Sequence, residues 1–174
     1  MGRNNRERRK AKKATQAKPR RSLPVVQAVR PCDGCTVCCS VFGVEEIDKS
    51  PWVTCAHLNE RGCGIYATRP GHCHGFYCLY QHGMGTSMDR PDKLGVVFAP
   101  TNGKTDFTGE EEIQAYEAVP LAFNKPEVVR LAKAFGDKGK LVIGHCYGGQ
   151  EFRFVGPPDK IAKALRWVES TRKE

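Results

Sequence analysis

The chain has 174 residues, enough for one ordinary domain with its own core and too few for two. Its formal net charge of +9 belongs to residues 1–22, which hold 10 of the 28 lysines and arginines and 1 of the 19 acids. The remaining residues are formally neutral, so the composition gives no support for a basic groove on the folded body. No apolar stretch approaches the ~20 residues of a membrane helix, and we expect no membrane span.

Residues 1–24 form a basic arm that we predict to be disordered, because its like charges repel and apolar residues are scarce. The alternative is that residues 1–22 make weak, non-specific contact with nucleic acid or anionic lipid, which would fade as salt rises. No aromatic residue interleaves these charges to stack on bases. We recognise no export signal and expect a cytoplasmic protein, in a reducing compartment that opposes disulfides.

Residues 25–90, the cysteine segment, are rich in Cys, Gly, His and Pro and poor in periodic apolar runs. Such a composition is typical of a segment ordered by metal ligation more than by a hydrophobic core. Residues 91–174 carry conventional strand and helix patterns, and we expect them to pack with the cysteine segment as one domain. The predicted fold class is α+β, with a small Cys-rich, metal-organised segment joined to a short-stranded sheet and two to three helices.

Three patterns after the cysteine segment predict the first half of this remainder. The apolar run at 94–100 predicts a buried strand, and residues 104–107, after a turn at Asn102–Gly103, are predicted to pair with it as a hairpin. Residues 109–119 indicate a short helix. A longer helix is predicted to follow, with a cap at Asn124, Pro126 in its first turn and Gly136 as its stop.

The last part of the chain predicts a hairpin and a helix. Residues 140–156 indicate two strands joined at Gly148–Gly149, with Phe152 and Phe154 alternating against polar neighbours. Residues 157–171 predict an amphipathic helix, whose expected apolar face holds Ile161, Ala164, Leu165 and Val168.

The cysteines carry the strongest chemical signal, because eight of the nine fall between residues 32 and 78. A C-x2-C turn brings two sulfurs to one side of a tight loop, within reach of one metal, and Gly34 eases the first such turn. Adjacent side chains diverge, so we expect Cys38 and Cys39 to face different surroundings. The predicted metal ligands are Cys32, Cys35, Cys38, Cys39, Cys55, Cys63, Cys73 and Cys78. These suffice for two four-sulfur sites, or for one cluster and spare thiols.

Thiolate-rich sites select zinc, copper(I) or iron–sulfur clusters over oxygen-loving cations. The C-x2-C-x2-C run matches the opening of the bacterial ferredoxin motif, although the fourth cysteine here follows at once. Zinc sites show paired knuckles at a distance, which Cys32/Cys35 and Cys73/Cys78 would supply. The spacing therefore favours an iron–sulfur cluster, 4Fe–4S in particular, or iron, with zinc as the alternative.

The cysteine pattern also resembles a known family. The four early cysteines, Cys55, the block of residues 63–73 that reads CGIYATRPGHC, and Cys78 are similar to the CxxCxxCC, or YkgJ-type, cysteine-cluster proteins. These are described as zinc- or iron-chelating, often iron–sulfur, domains. The resemblance covers roughly residues 30–100, and it implies eight-cysteine metal or cluster binding without a settled reaction.

Each of the other candidate residues has a structural interpretation as well as a functional one. One reading is a mixed Cys/His zinc site, to which Cys55 and His57 or Cys73 and His74 would contribute. The histidines at positions 57, 72, 74, 82 and 145 are instead interpreted as hydrogen-bond donors or surface residues, since eight thiols are already available. Arg69 either offsets thiolate charge or only shapes the turn before Pro70, and both readings stay open. Cys146 is interpreted as a small buried hydrophobe.

The sequence thus predicts a metal-binding protein with one or two all-cysteine centres, iron–sulfur favoured, and a redox or iron-handling role. One alternative is a structural zinc module that holds an interaction surface. Another is a metal-dependent enzyme with a cluster beside a substrate pocket, which needs an open coordination position or a nearby acid–base group. Whether the chain is an enzyme is left undecided by its sequence.

Overall fold

The protein is described from a computed structural model, and the structure describes residues 30–171. The predicted basic arm of residues 1–24, and its contact with nucleic acid through residues 1–22, lie outside the described residues. No helix within the described part of the chain is long and apolar enough to cross a membrane.

Residues 30–171 form six strands: β1 (Leu58–Asn59), β2 (Gly62–Cys63), β3 (Val96–Pro100), β4 (Ile113–Glu117), β5 (Val142–His145) and β6 (Phe152–Val155). The same residues form five α-helices: α1 (Cys38–Val41), α2 (Gly71–Gly75), α3 (Pro91–Leu94), α4 (Pro126–Gly136) and α5 (Pro158–Thr171). Short 3₁₀-helices lie between them: Glu45–Ile47, Tyr66–Thr68, Ser87–Asp89 and Ala122–Asn124. The predicted α+β class is confirmed.

The main sheet has the strand order β3-β4-β5-β6. The pairs β3–β4 and β5–β6 are antiparallel, whereas β4 and β5 run parallel because α4 connects them across one face of the sheet. Strands β1 and β2 form a separate two-stranded hairpin inside the cysteine segment.

The two faces of the main sheet are covered by different parts of the chain. Helix α4 packs through Val128 and Leu131 against Phe98 on one face. On the other face, Val41 and Tyr80 of the cysteine segment pack against Val97 of β3. Helix α5 covers β5 and β6 in a third cluster that includes Ala164. The cysteine segment therefore shares part of its hydrophobic core with the sheet.

Two predictions for the middle of the chain were wrong. Residues 109–119 do not form a helix, because β4 occupies Ile113–Glu117 and pairs with both β3 and β5. Residues 104–107 do not pair with the first strand, since β4 takes that place. Burial alternates along this segment as it does in a strand: Ile113, Ala115 and Glu117 are buried, and the residues between them are partly exposed.

The two long helices were predicted correctly, except at one cap and on one apolar face. Pro126 stands in the first turn of α4 as expected, but Asn124 belongs to a preceding 3₁₀-helix. Its side-chain oxygen accepts a 2.7 Å hydrogen bond from Arg153 and caps no helix. In α5, Ala164 is buried as predicted, whereas Leu165 is 47% exposed.

The hairpin of β5 and β6 was also predicted correctly. Residues 146–151 connect the two strands, and Gly148 and Gly149 within them both have positive φ, at 83° and 76°, which glycine adopts without strain. A Cβ at Gly149 would lie 2.5 Å from the ring of Trp52, so this turn also needs glycine for space. Through Trp52 the cysteine segment contacts the far end of the sheet.

Candidate metal centre

The cysteine segment encloses a cavity of about 300 Å³ on the side of the sheet that carries Val97. Seven of the eight predicted ligands line it: Cys32, Cys35, Cys38, Cys39, Cys55, Cys63 and Cys73. The eighth, Cys78, is buried and packs against Val41. All nine cysteines of the chain are free thiols. The structure therefore brings together residues that are as much as 41 positions apart in the chain.

The first two cysteines sit on a tight turn. Asp33 and Gly34 both have positive φ, at 48° and 78°, and the amide of Cys35 donates a 3.0 Å hydrogen bond to the carbonyl oxygen of Cys32. Two successive left-handed residues define a turn in which glycine, and next to it Asp or Asn, are the tolerated residues. The guanidinium of Arg90 fixes this turn by donating to the carbonyl oxygen of Asp33 at 3.1 Å. The predicted role of Gly34 is confirmed.

Cys38 and Cys39 are the first two residues of α1, and both line the cavity. Interaction with the neighbouring Cys39 thiol and burial raise the pKa of Cys38, whereas the Cys38 thiol lowers the pKa of Cys39 to about 7. The charge of Lys49 also lowers the pKa of Cys39. That the two side chains face different surroundings stays a prediction.

Cys55 precedes the small β1–β2 hairpin, and Cys63 is the last residue of β2. The amide of Cys55 donates to the carbonyl oxygen of Cys39 at 3.0 Å, which ties this hairpin to α1. Leu58, whose amide donates to the Cys55 carbonyl oxygen at 3.0 Å, pairs across the hairpin with Cys63. The backbone alone therefore holds these two thiols near each other and near α1.

Cys73 lies in α2, directly after the Arg69–Pro70 turn. The guanidinium of Arg69 donates to the carbonyl oxygens of Tyr66 at 2.9 Å and Cys73 at 3.4 Å, and it stacks 3.9 Å from the Tyr66 ring centroid. Arg69 also lines the cavity, where its charge counteracts the burial that raises the pKa of Cys32. Both readings of Arg69 thus have a structural basis: it shapes the turn and it faces a thiol.

Lys49 is a cavity residue that sequence reasoning missed. Its backbone pairs in both directions with Val44, and its ammonium donates to the carbonyl oxygens of Phe42 and Ser50. Burial lowers the pKa of Lys49, and the nearby thiolates of Cys55 and Cys39 oppose that shift. One feature of the sequence could have drawn attention to it: no other lysine lies between residues 22 and 92.

Burial dominates the electrostatics of the thiols. It is the largest cause of the raised pKa of three cavity cysteines, Cys32, Cys35 and Cys73, and of the buried Cys78. A compensating positive charge would stabilise a thiolate in this site, because burial removes part of the water around it. A bound metal ion supplies such a charge and deprotonates the thiols that ligate it.

The histidines lie mostly away from the cavity. Only His72 lines it, and its backbone amide donates to the carboxylate of Glu46 at 3.2 Å. His57 and His74 are exposed, and His82 meets the ring of Tyr77 edge-on. His145 lies elsewhere, stacked on Tyr116 in the sheet. Cys146 packs at the border of the cluster beneath α4, as its interpretation as a small hydrophobe expects.

The thiols share a cavity without being arranged around one point. Within residues 30–171 no group of three or more Cys, His, Asp or Glu side chains has an arrangement that could hold a metal ion. Comparison of the chain with protein-family models, with curated proteins and with solved structures gives no match. The chemistry of the cavity is therefore the best guide to function.

Proposed function

We propose that the protein binds iron–sulfur centres through the eight clustered cysteines and has a redox or iron-handling role. The observation that carries the proposal is the convergence of seven thiols, from segments far apart in the chain, on one cavity. A gathering of so many thiols in one cavity is typical of a site that binds a soft metal. The resemblance of residues 30–100 to the CxxCxxCC cysteine-cluster proteins supports the same conclusion.

The size and lining of the cavity favour a cluster over a single ion. A volume of about 300 Å³ corresponds to roughly ten waters, at about 30 Å³ each, whereas one metal ion fills less than the space of one water. Thiols outnumber the other ligand-type side chains, because His72 is the one histidine in the lining and no carboxylate belongs to it. An all-thiolate donor set is the ligation that iron–sulfur clusters use.

The chain would do three things for such a cofactor, whose own contribution is one-electron transfer. The eight thiolates hold it, and the loops that carry them have to close further for ligation, since no ready-made site exists among the described residues. Lys49 and Arg69 offset the negative charge of the thiolates. Phe42, Ile65 and Phe76 give the cavity apolar walls, which limit the access of water.

Full ligation by cysteine favours electron transfer over catalysis. Catalysis at a metal needs an open coordination position, and eight thiols are enough to fill every position of two four-sulfur sites. The free state of all nine cysteines further fits a reducing compartment, and we infer a cytoplasmic location from it.

A structural zinc site is the second candidate, and the small core of the cysteine segment favours it. Among residues 30–90 few apolar side chains are fully buried, Val41 and Val44 among them. Such a segment gains folding free energy from any tightly bound metal, including zinc. In that case the metal would hold the loops in place and carry no electrons.

Spectroscopy of anaerobically purified full-length protein separates the two candidates. An iron–sulfur protein is expected to be brown and to absorb broadly near ~400 nm, because thiolate-to-iron charge transfer lies there. Elemental analysis of the same sample is expected to find iron. A folded, colourless protein with stoichiometric zinc and no iron would replace the iron–sulfur proposal by the zinc one. A folded protein without transition metal would defeat both.

A further inference from the structure

A second cavity, of about 400 Å³, lies between helix α4 and the loop of residues 79–85. We call this cavity the α4 groove. None of the nine cysteines, all of which lie within the described residues, belongs to its lining. The α4 groove is therefore separate from the candidate metal centre.

Hydrogen bonds hold the loop that forms one wall of the α4 groove. The amide of Leu79 donates to the carbonyl oxygen of Phe98 in β3 at 2.8 Å, and the amide of Met84 donates to the carbonyl oxygen of Leu79 at 2.9 Å. The opposite wall is α4, whose Leu131 belongs to the same core cluster as Phe98. Both walls are thus attached to the main sheet, as in a preformed ligand pocket.

The floor of the α4 groove is apolar. Leu79, Met84 and Phe135 are partly buried and pack against the core cluster beneath α4. Leu131 is 5% exposed, and the small side chain of Ala134 lies exposed beside it in the lining. Covering such a floor removes apolar surface from water, which favours a ligand with an apolar body.

The rim of the α4 groove carries positive charge. Arg130 and Lys138 line it together with His82, and no Asp or Glu of the described residues does. Arg130 donates to one carboxylate oxygen of Asp89, whose other oxygen accepts from the Thr86 amide at 2.7 Å. The guanidinium has several N–H donors and its side chain is 57% exposed, so it can bind a ligand while it holds Asp89. Lys138 forms no ion pair within residues 30–171.

The backbone carbonyl oxygens along this rim already accept hydrogen bonds. Those of Gly83, Met84 and Gly85 accept from the guanidinium of Arg30 at 3.3, 3.0 and 2.9 Å. The rim thus presents cationic donors, whereas its backbone acceptors are occupied. Cationic donors form their strongest hydrogen bonds with carboxylate or phosphate oxygens, so the matching ligand carries a negative charge.

From this combination of an apolar floor and a cationic rim, we infer that the α4 groove binds a small organic anion. Its apolar body would lie against Leu131 and Phe135, and its carboxylate or phosphate group beside Arg130 and Lys138. The volume of about 400 Å³ falls within the roughly 300–1,000 Å³ of small-molecule pockets. The inference goes beyond the proposed function and does not depend on it, because no thiol lines the groove.

The first test is isothermal titration calorimetry of full-length protein with four probes that share one apolar chain: octanoate, octyl phosphate, octanol and octyltrimethylammonium. At least one of the two anions is expected to bind about tenfold more tightly than octanol, because only an anion gains charge-assisted hydrogen bonds at the rim. The cationic probe is expected not to bind. Equal affinity for the anions and octanol would overturn the inference, and so would the absence of binding by either anion.

Variants on the exposed surface of the groove locate the binding. Lys138→Met is expected to weaken binding of the anion about tenfold and to leave octanol unchanged, whereas Lys133→Met, outside the lining, should match the wild type. Ala134→Trp fills the groove and should abolish binding of both probes. Its control is Val129→Trp, on a residue of α4 that is 52% exposed and outside the lining.

NMR of methionine methyl groups gives a readout at the site itself. The chain has 3 methionines, of which Met84 lines the groove and Met88 does not. The anion is expected to shift the Met84 signal and to leave that of Met88 unchanged. Anion binding that shifts neither signal and survives Lys138→Met and Ala134→Trp would lie elsewhere, for instance on the basic residues of 1–22, and would overturn the inference. The metal content of the same protein tests the proposed function separately.

Discussion

The amide of Cys55 donates a 3.0 Å hydrogen bond to the carbonyl oxygen of Cys39. This bond joins a cysteine just before the small hairpin to one of two adjacent cysteines in α1, which lies 16 positions earlier in the chain. Cys38, the neighbour of Cys39, lines the same cavity. The adjacent pair is therefore the place where two parts of the cysteine segment come together.

Replacing Lys49 by Met is expected to lower the reduction potential of the bound centre. Lys49 places a partly buried positive charge beside Cys55 and Cys39, and a reduced cluster carries one more negative charge than an oxidised one. Loss of about 1 kcal/mol of that attraction corresponds to about 40 mV for one electron. Redox titration followed by EPR measures the shift. The control is Lys133→Met on exposed α4 surface, and equal potentials in both variants would contradict the role of Lys49.

Replacing Gly34 by Ala is expected to speed the loss of iron to a chelator. The residue has a φ of 78° with open space around its Cβ position, so the penalty is conformational and amounts to about 1 kcal/mol, or roughly fivefold in rate. Asn tolerates this backbone better, and Gly34→Asn should lose iron at an intermediate rate. Gly139 has the same φ of 78° and open space but lies outside the cavity. Gly139→Ala should leave iron release unchanged, and equal release from both Ala variants would refute the prediction.

Replacing His145 by Phe is expected to remove a pH-dependent loss of stability. Burial lowers the pKa of His145 to about 4, and its Nε2 atom has no hydrogen-bond partner. An unfolded histidine titrates near 6.5, so the unfolded state binds the proton first and the folded state loses stability as pH falls from about 6.5 to 4. The loss at pH 5 is about 2 kcal/mol.

The measurement is urea unfolding of wild type and His145→Phe at pH 7, 6 and 5. The Phe ring keeps the stacking on Tyr116, whose ring centroid lies 4.3 Å from that of His145, and it removes the unpaired buried nitrogen. As pH falls, the stability of His145→Phe relative to wild type should rise. Taking the difference between the two proteins cancels effects that they share, such as acid release of metal. A difference that stays constant with pH would show that His145 does not titrate in this range.

Replacing Lys160 by Met is expected to lower the free energy of unfolding by about 3–5 kcal/mol, because it leaves a buried carboxylate without its partner. The Lys160 ammonium lies 2.8 Å from Glu112, whose side chain is fully buried. Adding Glu112→Gln should restore most of the stability, since Gln still accepts from the Leu141 amide. Chemical unfolding measures all three proteins. The control is Lys163→Met on the exposed side of α5, and a loss of stability there as large as in Lys160→Met would argue against the ion pair.

Local patterns in the sequence predicted the parts of the fold that depend on local interactions. The apolar run of β3, the Gly148–Gly149 hairpin and the first turn of α4 at Pro126 all follow from neighbouring residues. The short spacing from Cys32 to Cys35 likewise predicted the turn at Gly34. In each case the residues that determine the structure lie within a few positions of one another.

Long-range contacts account for what the sequence did not predict. Residues 109–119 resemble a helix in sequence because of their three consecutive glutamates. Glu112 is nevertheless buried in the sheet, where it pairs with Lys160, 48 residues later in the chain. The place of Lys49 in the cavity likewise depends on Cys55 and Cys73, which other segments carry. The convergence of seven thiols on one cavity arises in the same way, because backbone bonds between distant loops bring them together.

The most direct test of the central claim is the amount of iron and acid-labile sulfide in full-length protein purified without air. 4Fe–4S ligation predicts equal amounts of iron and sulfide, at about four of each per cluster, and their loss on chelation should destabilise the cysteine segment. Folded protein that contains zinc without sulfide, or that holds no transition metal and stays ordered under chelation, would contradict the account.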